Sequence, residues 1–315
     1  MELRMATGNA LIQVFLRMAL TRPPSRYLGI FFMLIAAFSF SMMGGFAKML
    51  KPSFNTPQLV FYRNFTGLLV LLYSFFRYPV QQTGGKLKLL VFRGLMGTIA
   101  LYTLLYNVLH ITLGTALTYN TTNTLFIALL SGWFLKEKLN TTAWACILLG
   151  FVGVVLINKP SVEMGWKYHV VGLICGTSSA VAYLSVSSLN KYYDTRIIVL
   201  SFILSGIVLP MTGMLLGSFT GLPHDDFFIT AFRLPQGIEW FYIAGMGLTA
   251  LSGQYFVTKA YGHDKAGIVS AIGYSNIVFA LLIGLFLGDA FPDMQSLLGI
   301  LFVVISGIII SFNRH

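Results

Sequence analysis

Charge is what this chain lacks most. Only 10% of its 315 residues are Asp, Glu, Lys or Arg, against about 25% in soluble domains. A water-soluble globular fold is therefore excluded. Cysteine is nearly absent: Cys146 and Cys175 both lie inside apolar blocks, which rules out a disulfide framework and leaves no metal-ligand spacing. No metal is expected. The chain has no H-E-x-x-H pair, no G-x-S-x-G nucleophile turn and no Walker-type glycine loop, so the sequence predicts neither an enzyme nor an ATP-driven pump, and no cofactor.

What is present is apolar sequence in blocks of roughly 20 residues, the length that crosses a bilayer core as a helix. A β-barrel would instead alternate over strands of about ten residues. Ten spans are predicted, at 28–47, 57–76, 89–107, 113–135, 141–158, 169–190, 197–217, 239–258, 266–287 and 294–312. The fold class expected is an all-α membrane protein with ten transmembrane helices. The net charge of +11 sits in the short loops between blocks. That is the signature of basic cytoplasmic loops, not of nucleic-acid binding. With the N-terminus inside, fourteen of the twenty-one Lys and Arg fall on cytoplasmic segments and five outside, while Arg63 and Arg93 lie within spans. Both termini are thus expected in the cytoplasm of a multi-pass protein of the cell (inner or plasma) membrane. In residues 1–26, Asn9, Gln13 and Arg17 oppose Leu11, Ile12, Phe15 and Leu16, and Pro23-Pro24 ends the pattern. This segment reads as an amphipathic helix on the cytoplasmic surface.

The chain also repeats itself. At an offset of 153, Gly94, Tyr102, His110, Gly114, Asn123 and Phe126 recur as Gly247, Tyr255, His263, Gly267, Asn276 and Phe279; at 143, Gly29, Ala37 and Lys48 recur as Gly172, Ala180 and Lys191. The expected organisation is a first repeat at 27–158, an external connector at 159–168 and a second repeat at 169–312. Five spans per copy force opposite orientations, so the two repeats are inverted.

A polar group in hydrocarbon costs several kcal/mol unless it finds a partner, so polar clusters at mid-span mark candidate sites. The fourth span carries Tyr119, Asn120, Thr121, Thr122 and Asn123, and the ninth carries Tyr274, Ser275 and Asn276. Asn123 and Asn276 occupy equivalent positions and are expected to converge near the pseudo-two-fold axis. The competing reading is hydrogen-bonded glue between helices. Tyr102 and Tyr255 are the next symmetric pair and would wall a cavity. Arg63, six residues into the second span, either snorkels to the interface or binds an acidic group on a solute. Lys48 with Lys191, and His110 with His263, are candidate gating pairs, or simply interfacial polarity. No Asp or Glu lies at mid-span. That argues against a lipophilic-cation exporter and for a neutral, zwitterionic or anionic solute.

Several motifs carry a family likeness: Gly29 to Lys48 and Gly172 to Lys191 in the first spans, Phe61-Tyr62-Arg63, Leu135-Lys136-Glu137-Lys138, Gly150-Phe151-Val152-Gly153, and Gly299 to Gly307. Over residues 27–312 the pattern resembles the EamA-type permeases of the drug/metabolite transporter superfamily. The resemblance implies two inverted five-span halves around a central cavity lined mainly by spans one, three, four, six, eight and nine. It implies a secondary transporter of small metabolites by alternating access. A non-transporting scaffold or receptor and a passive metabolite channel remain the alternatives. The partners expected are a small-molecule metabolite and the lipid bilayer, with a homodimer left open.

Overall fold

In the computed structural model the described residues are 27–80, 83–111, 116, 119–136, 139–158, 165–219, 227–286 and 293–312. The amphipathic reading of residues 1–26, the start of the fourth span, Glu137, Lys138 and most of the connector lie outside them. The described residues form helices and no strand. These are α1 (Leu28–Leu50), α2 (Thr56–Arg77), α3 (Leu87–His110), α4 (Asn123–Phe134), α5 (Thr141–Asn158), α6 (Trp166–Leu189), α7 (Thr195–Phe219), α8 (Glu239–His263), α9 (Ala266–Ile272), α10 (Ser275–Phe286) and α11 (Met294–Phe312). Among the described residues, six segments are long and apolar enough to cross a membrane: α1, α2, α3, α6, α7 and the stretch Ala266–Phe286 that α9 and α10 share. The apolar parts of α5 and α11 are shorter, at Thr141–Ile157 and Met294–Ile309.

Local chemistry sets the helix ends and breaks. At the start of α2, Asn55 N–H donates to Gln58 Oε1 at 2.9 Å in a capping box, with a proline in the first turn. The ninth apolar block is interrupted at Gly273-Tyr274. Gly273 N–H reaches back to Ser270 O at 3.0 Å, and Tyr274 N–H to Ala271 O at 3.2 Å. The fourth block turns at Thr122, whose hydroxyl donates to Tyr119 O at 2.6 Å. Such back-bonding bends a helix.

Burial is inside-out relative to a soluble protein. Phe76, Trp133, Phe219 and Phe286 are each more than 80% exposed, while Arg63, Asn64, Arg93 and Asn107 are at most 4% exposed. An apolar rim around buried polar groups suits lipid and would be insoluble in water. Cys146 and Cys175 are both free and buried.

The most extensive packing joins α1 to α8, α3 to α6, α5 to α11 and α2 to α7. Next come α3 with α7, α1 with α10 and α2 with α8. Two apolar clusters dominate the core. One brings Met33, Ile127, Ile147, Leu184, Ile198 and Val269 together; the other gathers Leu50, Leu59, Val60, Leu101, Ile203 and Met246.

Candidate functional site

Against the second cluster, beside Met43, Ala47, Leu101, Leu105 and Phe202, lies a cavity of about 130 Å³. Its polar lining is Arg63 from α2, Arg93 from α3, Asn120, Ser179 and Tyr183 from α6, Gln254 from α8 and Asn276 from α10. Apolar walls come from α1, through Phe40, Met43 and Ala47, from α3 and from Phe202 of α7. All six spans named by the family likeness contribute, and the second and seventh add Arg63 and Phe202.

The two arginines dominate the electrostatics. Each guanidinium carbon lies over the Phe202 ring, Arg63 at 5.2 Å and Arg93 at 5.0 Å from its centroid. Such cation–π contacts are worth about 2 kcal/mol when desolvated. Arg63 Nε donates to Met43 Sδ at 3.2 Å and Nη1 to Asn64 Oδ1 at 3.1 Å. Asn64 is itself anchored to Val60 O at 2.8 Å and Gly206 O at 3.3 Å. Arg93 is 1% exposed, and its Nε and Nη1 have no hydrogen-bond partner. Among the described residues the ion pairs are Arg196–Asp194 and Arg233–Glu239, and neither involves Arg63 or Arg93. A buried charge without its partner costs about 3–5 kcal/mol. Gly97 makes room for the arrangement: a Cβ there would lie 2.8 Å from Phe202 and 3.2 Å from Arg93 Nη1.

The cavity takes Asn120 and Asn276 but not Asn123. Asn276 accepts from Ser41 Oγ through both its side-chain oxygen, at 3.0 Å, and its carbonyl, at 2.8 Å. Asn120 Oδ1 faces Cys175 Sγ at 3.6 Å, and Asn123 Oδ1 accepts from Thr124 Oγ1 at 3.2 Å. In the aligned register the ninth-block break falls one to two residues earlier than the Thr122 turn. One residue of shift rotates a helical position by about 100°, so aligned asparagines do not share a face.

Other sequence-selected residues go elsewhere. Tyr102 is buried with its ring 5.9 Å from Phe227. Tyr119 shares a hydrogen bond with His169 and packs on Gly172, while Thr122 packs on Gly176. Tyr274 donates to Ile147 O at 3.3 Å, and Ser275 lines a separate apolar pocket facing α11. Lys48 is exposed at the end of α1. His110 and His263 cap α3 and α8 alike, each Nδ1 donating to the carbonyl four residues earlier at 2.8 Å.

Tyr255, Lys191 and His263 line a much larger vestibule, about 1200 Å³, at the end of the bundle where α2 stops, α7 begins and α8 stops. Lys259 Nζ sits 4.9 Å from the centroid of the Tyr255 ring there. A small void lined by Arg63, Phe202, Leu251 and Gln254 lies between vestibule and cavity, and shares residues with both. The other end is clamped. Arg233 donates to Ser53 O and to Glu239 Oε1 at 3.1 Å, and stacks on Phe54 at 5.0 Å. Tyr62 donates to Arg233 O, Gln58 to Ala231 O at 2.9 Å and Asn55 to Thr230 Oγ1 at 2.8 Å.

Sequence reasoning passed over Arg93, Gln254, Tyr183 and Phe202. Arg93 carried a usable signal, a charge four residues into an apolar block. Phe202 carried none, because an aromatic residue in an apolar helix offers no contrast.

Comparison with known proteins places this geometry in context. The EamA-like transporter family matches residues 27–159. An uncharacterized transporter of Helicobacter pylori is 36% identical over 287 residues, covering 90% of this chain and 94% of its own. The pseudopaline exporter CntI of Pseudomonas aeruginosa is 26% identical, covering 91% and 96%. A crystal structure 16% identical in sequence superposes with a TM-score of 0.73, covering 92% of this chain and 97% of its own, and shows the same fold.

Proposed function

This chain belongs to the EamA-like transporter family, and on that premise we propose that it is a secondary carrier that moves a small metabolite by alternating access through the central cavity. It is a membrane transporter and not an enzyme. The observation that carries the reading is the cavity itself. Polar side chains from α2, α3, α6, α8 and α10 converge in a setting otherwise apolar, beside a void that leads toward an open vestibule.

The packing supports two inverted five-span halves. Exchanging α1 with α6, α2 with α7, α3 with α8, the fourth span with the ninth and α5 with α11 maps the four most extensive interfaces onto themselves or each other. In such a carrier the halves rock about a midplane site. The vestibule at one end and the Arg233 clamp at the other suit a conformer open to one side. The basic-loop bias would put the vestibule in the cytoplasm, with both termini there and the clamp outside. In this reading Arg63, Asn120 and Asn276 contact the solute, and Lys191 and His263 border its cytoplasmic route.

Counterflow in liposomes against a broad panel of labelled metabolites tests the reading. Asn276→Leu is expected to abolish counterflow with normal expression, and unchanged counterflow in that variant would remove the site. Single cysteines at Leu251 and Leu104 should label from opposite faces, alternately. Simultaneous labelling of both would indicate a channel, and labelling of neither a scaffold.

A further inference from the structure

We infer that the central cavity is an anion site in which Arg63 and Arg93, gathered on Phe202, bind a small organic solute carrying two acidic groups; this rests on the carrier reading above and names its substrate class.

The argument begins with what is missing around Arg93. Its side chain is buried and lines the cavity, and two of its three guanidinium nitrogens have no partner. A structural arginine inside a helix bundle spends its donors on helix carbonyls or a carboxylate. Arg93 does neither. Arg63 is only partly satisfied, because a thioether is a weak acceptor and Nη2 makes no hydrogen bond. Among the described residues no carboxylate lines the cavity. The described acidic residues, Asp194, Glu239, Asp264 and Asp293, stand at helix starts or in loops. The described residues thus leave the counter-charge in the cavity to a ligand.

The rest of the lining fits that ligand. Guanidinium planes bind carboxylate and phosphate oxygens in pairs. Both lie about 5 Å from one ring centroid, so the acidic groups they take sit close together on a short skeleton. Asn120, Ser179, Tyr183, Gln254 and Asn276 offer neutral hydrogen-bonding groups around them. The volume of about 130 Å³ is below the 300–1,000 Å³ of drug-sized pockets, which favours a compact metabolite.

Binding needs no transport to be seen. Purified protein in detergent is unfolded thermally against C3–C6 dicarboxylates and small phosphomonoesters, with matched monocarboxylates and diamides, at constant ionic strength. At least one dianion should raise the midpoint at a concentration tenfold or more below its monoanion, with its diamide inert. Arg93→Gln should abolish this response while raising the midpoint of the unliganded protein, since it removes an unpaired buried charge. Arg93→Lys should retain part of the response, and Arg63→Gln should independently weaken it. Equal stabilisation by diamides, no response to any dianion, or a lower unliganded midpoint in Arg93→Gln would overturn the inference. Anion stabilisation without counterflow would remove the carrier reading and keep the site. Counterflow of neutral solutes left intact by Arg93→Gln would remove the site and keep the carrier.

Discussion

Gly153 and Gly299 meet backbone to backbone where α5 crosses α11: a Cβ on Gly153 would lie 2.6 Å from Gly299 O, and one on Gly299 would lie 2.5 Å from Gly153 O. Neither α5 nor α11 contributes a residue to the lining of the cavity. Without a hydrophobic drive between helices in lipid, such close approach supplies much of the association. Neither position can take a side chain without parting the helices. Gly153→Leu or Gly299→Leu should destabilise the fold by about 1–3 kcal/mol. Thermal unfolding in detergent reads this, and the double variant should cost less than the two singles summed, because one crossing is lost in both.

The Arg233 clamp predicts a conformational variant. Arg233→Ala removes the ties to Ser53, Glu239 and Phe54 at once and should raise labelling of a cysteine at Leu104 from the clamped side by severalfold. The Glu239 carboxyl is held below its ordinary range by hydrogen bonds from Ser53 and from the Gln236 backbone, aided by the Arg233 charge. The folded value lies under the unfolded one, about 4.3, so the clamp is intact above that value and weakens as pH falls through the folded one. Accessibility should therefore be flat from pH 5 to 8.

Asn120 and Asn123 give a direct contrast. Asn120 lines the cavity and Asn123 does not. Asn120→Leu should lower the counterflow rate by tenfold or more, the order of effect from about 1.4 kcal/mol of lost interaction. Asn123→Leu should leave the rate within about twofold. Equal losses in the two would place the solute on the face that the sequence repeat alone suggests.

At the vestibule rim, Arg196 pairs with Asp194 at 3.1 Å and also donates to Tyr78 O and Pro79 O at 3.0 Å, tying α7 to the end of α2. Burial alone would raise the Asp194 carboxyl, but the hydrogen bonds and charge of Arg196 outweigh it and hold the group below its ordinary value. The pair therefore stabilises the protein above about pH 3.9 and loses that contribution as pH falls through the folded value. Asp194→Asn should cost about 0.5–1 kcal/mol at pH 7 and progressively less as pH falls through the folded value, read as the difference in thermal midpoint.

Much of this architecture is legible in the sequence because lipid permits so little else. The apolar block predicted at 28–47 is α1 at 28–50, that at 57–76 is α2 at 56–77, and that at 197–217 is α7 at 195–219. Arg63, Asn120 and Asn276 stand out as polar residues in apolar surroundings, and all three line the cavity. What sequence symmetry does not carry is helix rotation. Tyr102 and Tyr255 align with each other, yet one packs on Phe227 and the other opens to the vestibule. Asn123 aligns with Asn276, yet the offset between the Thr122 turn and the Gly273-Tyr274 break turns them to different faces. Arg93 was visible as a charge, but its use depends on Phe202 and Gly97, which only the packed bundle brings beside it.

The burial of both native thiols has a practical side. Cys146 and Cys175 expose 3% and 1% of their surfaces, and neither lines the cavity or the vestibule. Hydrophilic maleimides should leave the unaltered chain unmarked, so one engineered thiol can serve as reporter without first stripping the protein of its own sulfhydryls.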